Sequence, residues 1–392
     1  MRSSAGILSA LASSVLAARP FLNEPDTGLQ TILGNWPNEP VPDFTEMVDQ
    51  PNLPIDQLPH INVTVGLPDL EEIARKFLSP KNFAYYRNGA AGEYSYRNNL
   101  EVYNRYRLRP RVMRDISKIE DSLPTSLLGH NFSAPFYISA CARADYAHPD
   151  AELNFVKAAA AGDILYMPAQ FSGKKMSEIA AAKKEGQVLF QQVYLDSNDT
   201  LTKELFKAIE EAGSKAIVFT VDSAADGNRH RAARYGVTSA EWTKLPIIIK
   251  GIMTYEDAKL AYEHHAPAII LSNHGGRQLD RSSSSLEAAL EIFNEDKDLF
   301  NKEMEIWADG GVRYGVDAIM LLSLGVKAVG IGRPFMYANM YGEAGPKRVI
   351  DLMKREIAID AGNLGIANLR EITSEYVSRA PTSPLTASLS SS

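Results

Sequence analysis

"AIILSNHGGRQLD", residues 268–280, joins four apolar residues to a histidine, two glycines and an arginine. The apolar part is too short for a helix and reads as a buried strand. The polar part is what such a strand carries where it leaves the core at a functional face. The pattern recurs. From residue 134 onward the chain places short apolar runs at 134–140, 164–169, 188–194, 216–222, 246–251, 268–273, 304–310 and 328–333. Most gaps hold an amphipathic stretch such as "DTLTKELFKAIEEAGSK" or "YGVDAIMLLSLGV", which is the alternation of a parallel sheet buried on both faces. Eight such units predict an α/β fold, a (β/α)8 TIM barrel, preceded by an extended N-terminal arm and helices.

Composition sets the outer bounds. The 392 residues are 45% hydrophobic and 23% charged, as in a globular chain. A formal charge of -7 gives no basic stripe for nucleic acid. Cys141 is the single cysteine, and the seven histidines show no HExxH pair, so no metal is expected.

Residues 1–18, within "MRSSAGILSALASSVLAARPFL", read as a secretory signal too short to span a membrane. The sequons at Asn62, Asn131 and Asn198 are compatible with secretory passage and glycosylation. The competing reading is an apolar N-terminal helix of a cytoplasmic protein. Residues 19–68 form a Pro-rich arm, 69–379 the barrel unit and 380–392 a Ser-rich tail. Helical character is expected over 69–106, with Asp69 as its cap.

In a barrel of this kind function sits at the carboxyl ends of the strands. Here those ends carry Gln192 and Tyr194, Thr220 and Asp222, Lys250, Ser272 with His274 and Arg277, Asp309, and Arg333. "ADGGVRYG" (308–315) and "GIGRPF" (330–335) follow the last two strands, where glycines and a helix N-terminus form a phosphate cup and Arg313 and Arg333 supply charge. Lys250 has two readings: a Schiff-base amine, or a cation beside a cofactor ring. His274 suits a general base, Asp222 a carboxylate that orients the imidazole, and Arg277 a fork for an acid group. Gly275 and Gly276 are expected to let a ligand approach the backbone. A phosphate-bearing cofactor beside such a base suggests FMN.

"LSNHGGRQLD", "TVD", "IIIKG", "ADGGVRYG" and "GIGRPF", with "FAYYRNGAAGEYSYRNN" and "LRPRVMRD" near the start, resemble the FMN-dependent 2-hydroxy-acid oxidases and dehydrogenases over about residues 69 to 375. The resemblance implies that His274 takes a proton while the α-hydrogen leaves to flavin N5, and that Asp222 steadies the imidazolium. It implies that Arg277, Tyr85 and Tyr194 hold the substrate carboxylate, with Arg229 of "GNRHR" as a helper. Gln192, Thr220, Lys250 and Ser272 would meet the flavin ring, with the backbone of Ala140, Cys141 and Ala142 beside it. Asp309, Gly310, Gly311, Arg313, Gly332 and Arg333 would hold ribityl and phosphate.

The implied partners are a small 2-hydroxy acid and either O2 or an electron carrier, and the implied assembly is a homo-oligomer, a tetramer by resemblance. The arm's single histidine, His60, cannot make a bis-histidine haem site, so O2 or a separate electron carrier must reoxidise the flavin, and O2 is the expected acceptor of a secreted enzyme. A same-fold dehydrogenase or monooxygenase, and a non-catalytic flavin-binding protein, are the competing functions. Two departures stand out. Only the 27 residues 223–249 separate Asp222 from Lys250, which shortens the loop over the site. "YMPAQFSGKK" after the second strand also lacks the family's Ser/Thr-rich pattern.

Overall fold

The computed structural model describes residues 58–195, 198–222 and 243–379. The signal segment, residues 19–57 of the arm, Arg229 and the 380–392 tail lie outside the described residues.

Each of the eight apolar runs carries one strand: β1 (Phe136–Ile138), β2 (Leu165–Tyr166), β3 (Phe190–Val193), β4 (Ala216–Thr220), β5 (Ile247–Ile252), β6 (Ala268–Leu271), β7 (Glu305–Asp309) and β8 (Val329–Ile331). They pair in parallel in the spatial order β2-β1-β8-β7-β6-β5-β4-β3. A parallel bridge between Tyr166 and Leu189 joins the two remaining edges and closes the barrel.

Strand alternation sorts the side chains. Tyr137, Phe190, Val218, Ile248, Ile270 and Trp307 pack together inside, with Phe190 stacked on Trp307 at 6.1 Å and Tyr137 tilted against it at 5.8 Å. Two residues further along the same strands, the same face carries Ser139, Gln192, Thr220, Lys250, Ser272 and Asp309, all buried. The apolar plug therefore ends where the polar layer begins.

At the opposite end a hairpin, Thr125–Leu127 with His130–Phe132, inserts Leu127 and Phe132 into the interior cluster. The Leu128 N–H donates to Glu305 at the start of β7 (3.1 Å). That floor leaves the carboxyl face as the side open to a ligand.

The helices between strands form because their apolar positions recur at helical spacing. In α6 (Asp199–Glu211), capped by Asn198 accepting from the Thr200 N–H (2.9 Å), Thr202, Phe206 and Ile209 are buried. Phe206 and Ile209 pack with Val193 and Ile217, outward-facing residues of β3 and β4. Each buried side chain of that size stabilises by about 1.5–3 kcal/mol.

Three helices precede the barrel: α1 (Leu67–Phe77), α2 (Pro80–Arg87) and α3 (Tyr94–Glu101). The first begins at Leu67, two residues before the expected start, and Asp69 is not its cap. Asp69 sits in the first turn, and its carboxylate accepts the Val65 (2.8 Å) and Gly66 (3.0 Å) N–H groups ahead of the helix. The remaining helices used below are α4 (Glu152–Gly162), α5 (Met176–Ala181), α7 (Tyr255–Glu263), α8 (Ser285–Asp296), α9 (Gly315–Ser323), α10 (Arg333–Ala338) and α11 (Ala344–Asn363).

Candidate active site

A cavity of about 450 Å³ opens at the carboxyl ends of the strands, a size that takes a cofactor-sized ligand. Its lining includes Tyr85, Gln192, Tyr194, Thr220, Lys250, His274 and Arg277. Ala140, Cys141 and Ala142 form one wall, and Asp309, Gly310, Gly311, Arg313, Gly332 and Arg333 another. Asp222 and Ser272 stand behind it, bonded to His274 and Lys250 respectively.

The Nδ1 of His274 lies 2.7 Å from Asp222 Oδ1. With a carboxylate on that nitrogen, Nδ1 carries the proton and Nε2 keeps the lone pair, the tautomer a base needs. Burial alone would raise the Asp222 carboxyl, but the Lys250 charge and the His274 hydrogen bond outweigh it and hold it below its ordinary value. Asp222 is therefore an anion placed to stabilise an imidazolium.

Lys250 Nζ donates to Ser272 Oγ (2.7 Å) and lies 3.5 Å from Asp222 Oδ2 and 3.7 Å from Asp309 Oδ2. Burial pulls against its charge, yet the two carboxylates raise its pKa above the ordinary lysine value. A Schiff base needs a neutral amine, so of the two readings of Lys250 the fixed cation stands. Asp309 accepts from Ser272 (2.6 Å) and Ser139 (3.4 Å) as well. Its position makes it the counter-charge of Lys250.

On the acid-gripping side, Arg277 is anchored by Nη1 to the Tyr85 carbonyl (2.7 Å), with its guanidinium carbon 5.4 Å from the Tyr85 ring centroid. Burial raises the Tyr85 phenol above its ordinary value, which keeps it a neutral donor. The Tyr194 N–H donates to Gln170 Oε1 (2.6 Å), and its ring stacks on Phe171 at 5.8 Å. Gln192 Nε2 donates to Thr220 Oγ1 (2.9 Å), fixing both side chains. Cys141 is half-buried, and desolvation pushes its thiol up to about 11, which disfavours the thiolate.

The glycines after His274 do more than open the cavity that Gly275 lines. A Cβ on Gly276 would stand 2.5 Å from the Tyr96 N atom, and one on Gly275 2.6 Å from Arg333 Nη1. Both also have positive φ, 63° at Gly275 and 75° at Gly276. They make room for the protein itself, letting α3 and Arg333 close on the turn that presents His274.

Sequence reasoning missed Asn273, which holds that turn. Its Oδ1 accepts from the Gly276 N–H (2.9 Å) and from Asn99 (2.8 Å), and its Nδ2 donates to Asn99 Oδ1 and Ser283 O, each at 2.8 Å. The available signal was an Asn immediately before a His-Gly-Gly turn.

The phosphate end fits an anion. Arg333 donates to the carbonyls of Tyr86 (2.8 Å), Gly275 (3.0 Å) and Asn88 (3.0 Å), and no carboxylate pairs with it among the described residues. Burial depresses its pKa, with Arg277 and Arg313 adding repulsion, the condition of a cation short of counter-charge. Gly332 is the N-cap of α10, so that helix starts at the cavity wall.

The other helix N-terminus, that of α9, is already satisfied. Asp317 accepts from the N–H groups of Arg313 (2.9 Å) and Tyr314 (3.0 Å), and Glu356 from that of Gly315 (2.8 Å). At α10 Pro334 has no N–H and the Phe335 N–H donates to the Gly332 carbonyl (3.0 Å), so what that end offers a phosphate is the Arg333 cation, which suits FMN.

Fold and site together give a parallel barrel whose carboxyl-face cavity is lined by a carboxylate-paired imidazole with Arg277, Arg313 and Arg333. The model of the FMN-dependent dehydrogenase family matches residues 74–242 and 238–379, and the chain belongs to that family. It is 33% identical to an L-lactate dehydrogenase (cytochrome) of Wickerhamomyces anomalus over 90% of this chain and 68% of that one. It is 32% identical to 2-hydroxyacid oxidase 2 of Bos taurus over 80% and 98%.

Among solved structures, the flavin-binding domain of baker's yeast flavocytochrome b2 matches with TM-score 0.76 and 32% identity over 82% of this chain and 88% of that one. A mandelate oxidase bound to 3,3-difluoro-2-hydroxy-3-phenylpropionic acid matches with TM-score 0.71 and 29% identity over 81% and 100%. The cofactor is FMN.

Proposed function

We propose that the protein oxidises an L-2-hydroxy acid to the 2-oxo acid, with O2 as the final electron acceptor. The observation that carries this is the 2.7 Å His274–Asp222 pair facing the same cavity as Arg277 and the charged Lys250. FMN supplies, when bound, an acceptor for the α-hydrogen and its electron pair. Arg277, Tyr85 and Tyr194 hold the substrate carboxylate, which turns the α-carbon and its hydroxyl toward His274. Nε2 of His274 takes the hydroxyl proton, and Asp222 stabilises the imidazolium that results. Lys250 would supply positive charge to the cofactor as it takes up electrons, and Gln192 and Thr220, bonded to each other, and Ser272, bonded to Lys250, would help hold it.

The oxidase reading is supported by the similarity over nearly the full length of 2-hydroxyacid oxidase 2. Anaerobic titration of the FMN-loaded protein with L-2-hydroxy acids tests the chemistry, because the substrate bleaches the oxidised flavin band. Readmitted air then restores the band and releases peroxide if O2 is the acceptor. A band restored only by added cytochrome c assigns the electrons to a carrier instead.

Secretory passage belongs to the same proposal, supported by the exposure of Asn62, Asn131 and Asn198. A mobility shift of secreted material after glycosidase treatment tests it. A tetramer, also proposed, is read by light scattering.

A further inference from the structure

Glu152, the first residue of α4, is fully buried and bonds to two loops at once. Its Oε1 accepts from the N–H groups of Ala144 (3.0 Å) and Gly173 (2.8 Å), and its Oε2 from that of Lys174 (2.9 Å). Ala144 follows Arg143 in the loop after β1, and Gly173 lies two residues past Phe171 in the loop after β2. Arg143 and Phe171 both line the cavity.

A second contact locks the same two loops together. The Asp145 carboxylate, held by Arg143 in a two-pronged ion pair (2.9 and 2.7 Å), occupies the space where a side chain on Gly173 would stand. On the far side, Gln170 accepts the Tyr194 N–H (2.6 Å) and donates its own to Gln192 Oε1 (3.2 Å). Between these contacts Phe171 stacks on Tyr194, although the residue is 60% exposed. An exposed aromatic in the cavity lining, between two loops fixed by buried hydrogen bonds, is a surface suited to an apolar partner.

Arg277, Tyr85 and Tyr194 serve the acid group, His274 the hydroxyl, and the strand-end polar layer the cofactor. Beyond those residues the lining also holds Tyr86, Arg143, Ala169, Phe171, Val312 and Met336, and of these Phe171 is the ring stacked on Tyr194. We infer that Glu152 is a positioning residue for specificity, fixing the Phe171–Tyr194 wall so that the pocket favours 2-hydroxy acids with a planar apolar side chain. This rests on the hydroxy-acid chemistry proposed above. A carboxylate is required because three N–H donors converge on it, and a glutamine would turn its NH2 group against at least one of them.

The test uses FMN-loaded parent, Glu152→Gln and Gly173→Ala, with L-mandelate against L-lactate as substrates and phenylglyoxylate against pyruvate as ligands read by flavin absorbance. Gly173→Ala disturbs the same wall by clashing with Asp145 and leaves no buried carboxylate unpaired. The expected parent favours the phenyl compounds. In both variants kcat/KM for mandelate falls about ten- to hundredfold through KM while lactate changes by less than about threefold. Phenylglyoxylate binding weakens in step, and trypsin cuts faster after Lys174 and Lys175.

Equal losses for both substrates, no loss in either variant, or a parent indifferent to the phenyl group would overturn the inference. Should Glu152→Gln fail to fold, Gly173→Ala alone decides. Ligand binding needs no turnover. An unreduced parent flavin therefore refutes the proposed chemistry, whereas unselective binding changes refute the wall.

Discussion

Asp222→Asn isolates the electrostatic part of the proposed mechanism. The amide keeps the shape of the carboxylate and can still accept from His274 Nδ1, so the imidazole stays in place. What disappears is a full negative charge 2.7 Å from the ring nitrogen. At an effective dielectric of about 20, a unit charge pair at that distance is worth about 6 kcal/mol. The amide dipole and the remaining Asp309 charge recover part of this, so a net loss of about 2–4 kcal/mol in the transition state is expected, or roughly thirty- to a thousandfold in rate.

Because Asp222 does not touch the carboxylate grip, KM should stay within about threefold. The assay is anaerobic stopped-flow reduction of the bound flavin at saturating substrate. If the variant reduces its flavin within about threefold of the parent, no imidazolium forms beside Asp222 in the slow step, and the assignment of His274 as base fails with it.

Lys250→Met strands Asp222 and Asp309 together without their shared cation, so thermal unfolding should show a loss of about 3–5 kcal/mol along with weakened FMN retention. Gly276→Ala forces a side chain into the Tyr96 backbone at φ 75°, and should cost at least about 1–3 kcal/mol in denaturant unfolding and slow flavin reduction by shifting His274.

Asp317 and Glu356 gate stability by pH, because burial pushes each up to about 7. The folded state then holds protons that the unfolded chain has released, so their contribution is full below about pH 4 and fades as pH rises through 7. Asp317→Asn should flatten the part of the stability–pH curve between those values, and a curve parallel to the parent's would refute the assignment.

The barrel was legible because its signal is local. Each strand is a short apolar run, and the polar residue that ends it is read from the same few positions, which is how Gln192, Thr220, Lys250 and Asp309 came to notice together. His274 and Asp222 were legible for the same reason, one on each of two strand ends. What escaped depends on contacts between distant segments. Asn273 reaches Asn99 across 174 positions, and Glu152 binds a loop 21 residues away in sequence. Neither partner can be inferred from spacing. The glycines of the His274 turn were visible, but the reason for them was not, since only the folded molecule brings Tyr96 and Arg333 against them.

One geometric fact links plug and site. Side chains alternate along a strand, so a residue two positions beyond an interior apolar one must also face inward. Ile248 thereby commits Lys250, Trp307 commits Asp309, and Ile270 commits Ser272. The charge cluster is a consequence of the register that fills the barrel. The eighth strand shows the same constraint by omission: a Cβ on Gly330 would stand 2.7 Å from the Asp309 Cβ and 2.7 Å from the Tyr137 ring. The polar layer is already full at that point, and only a residue without a side chain lets Asp309 keep its place between Ser272 and Lys250.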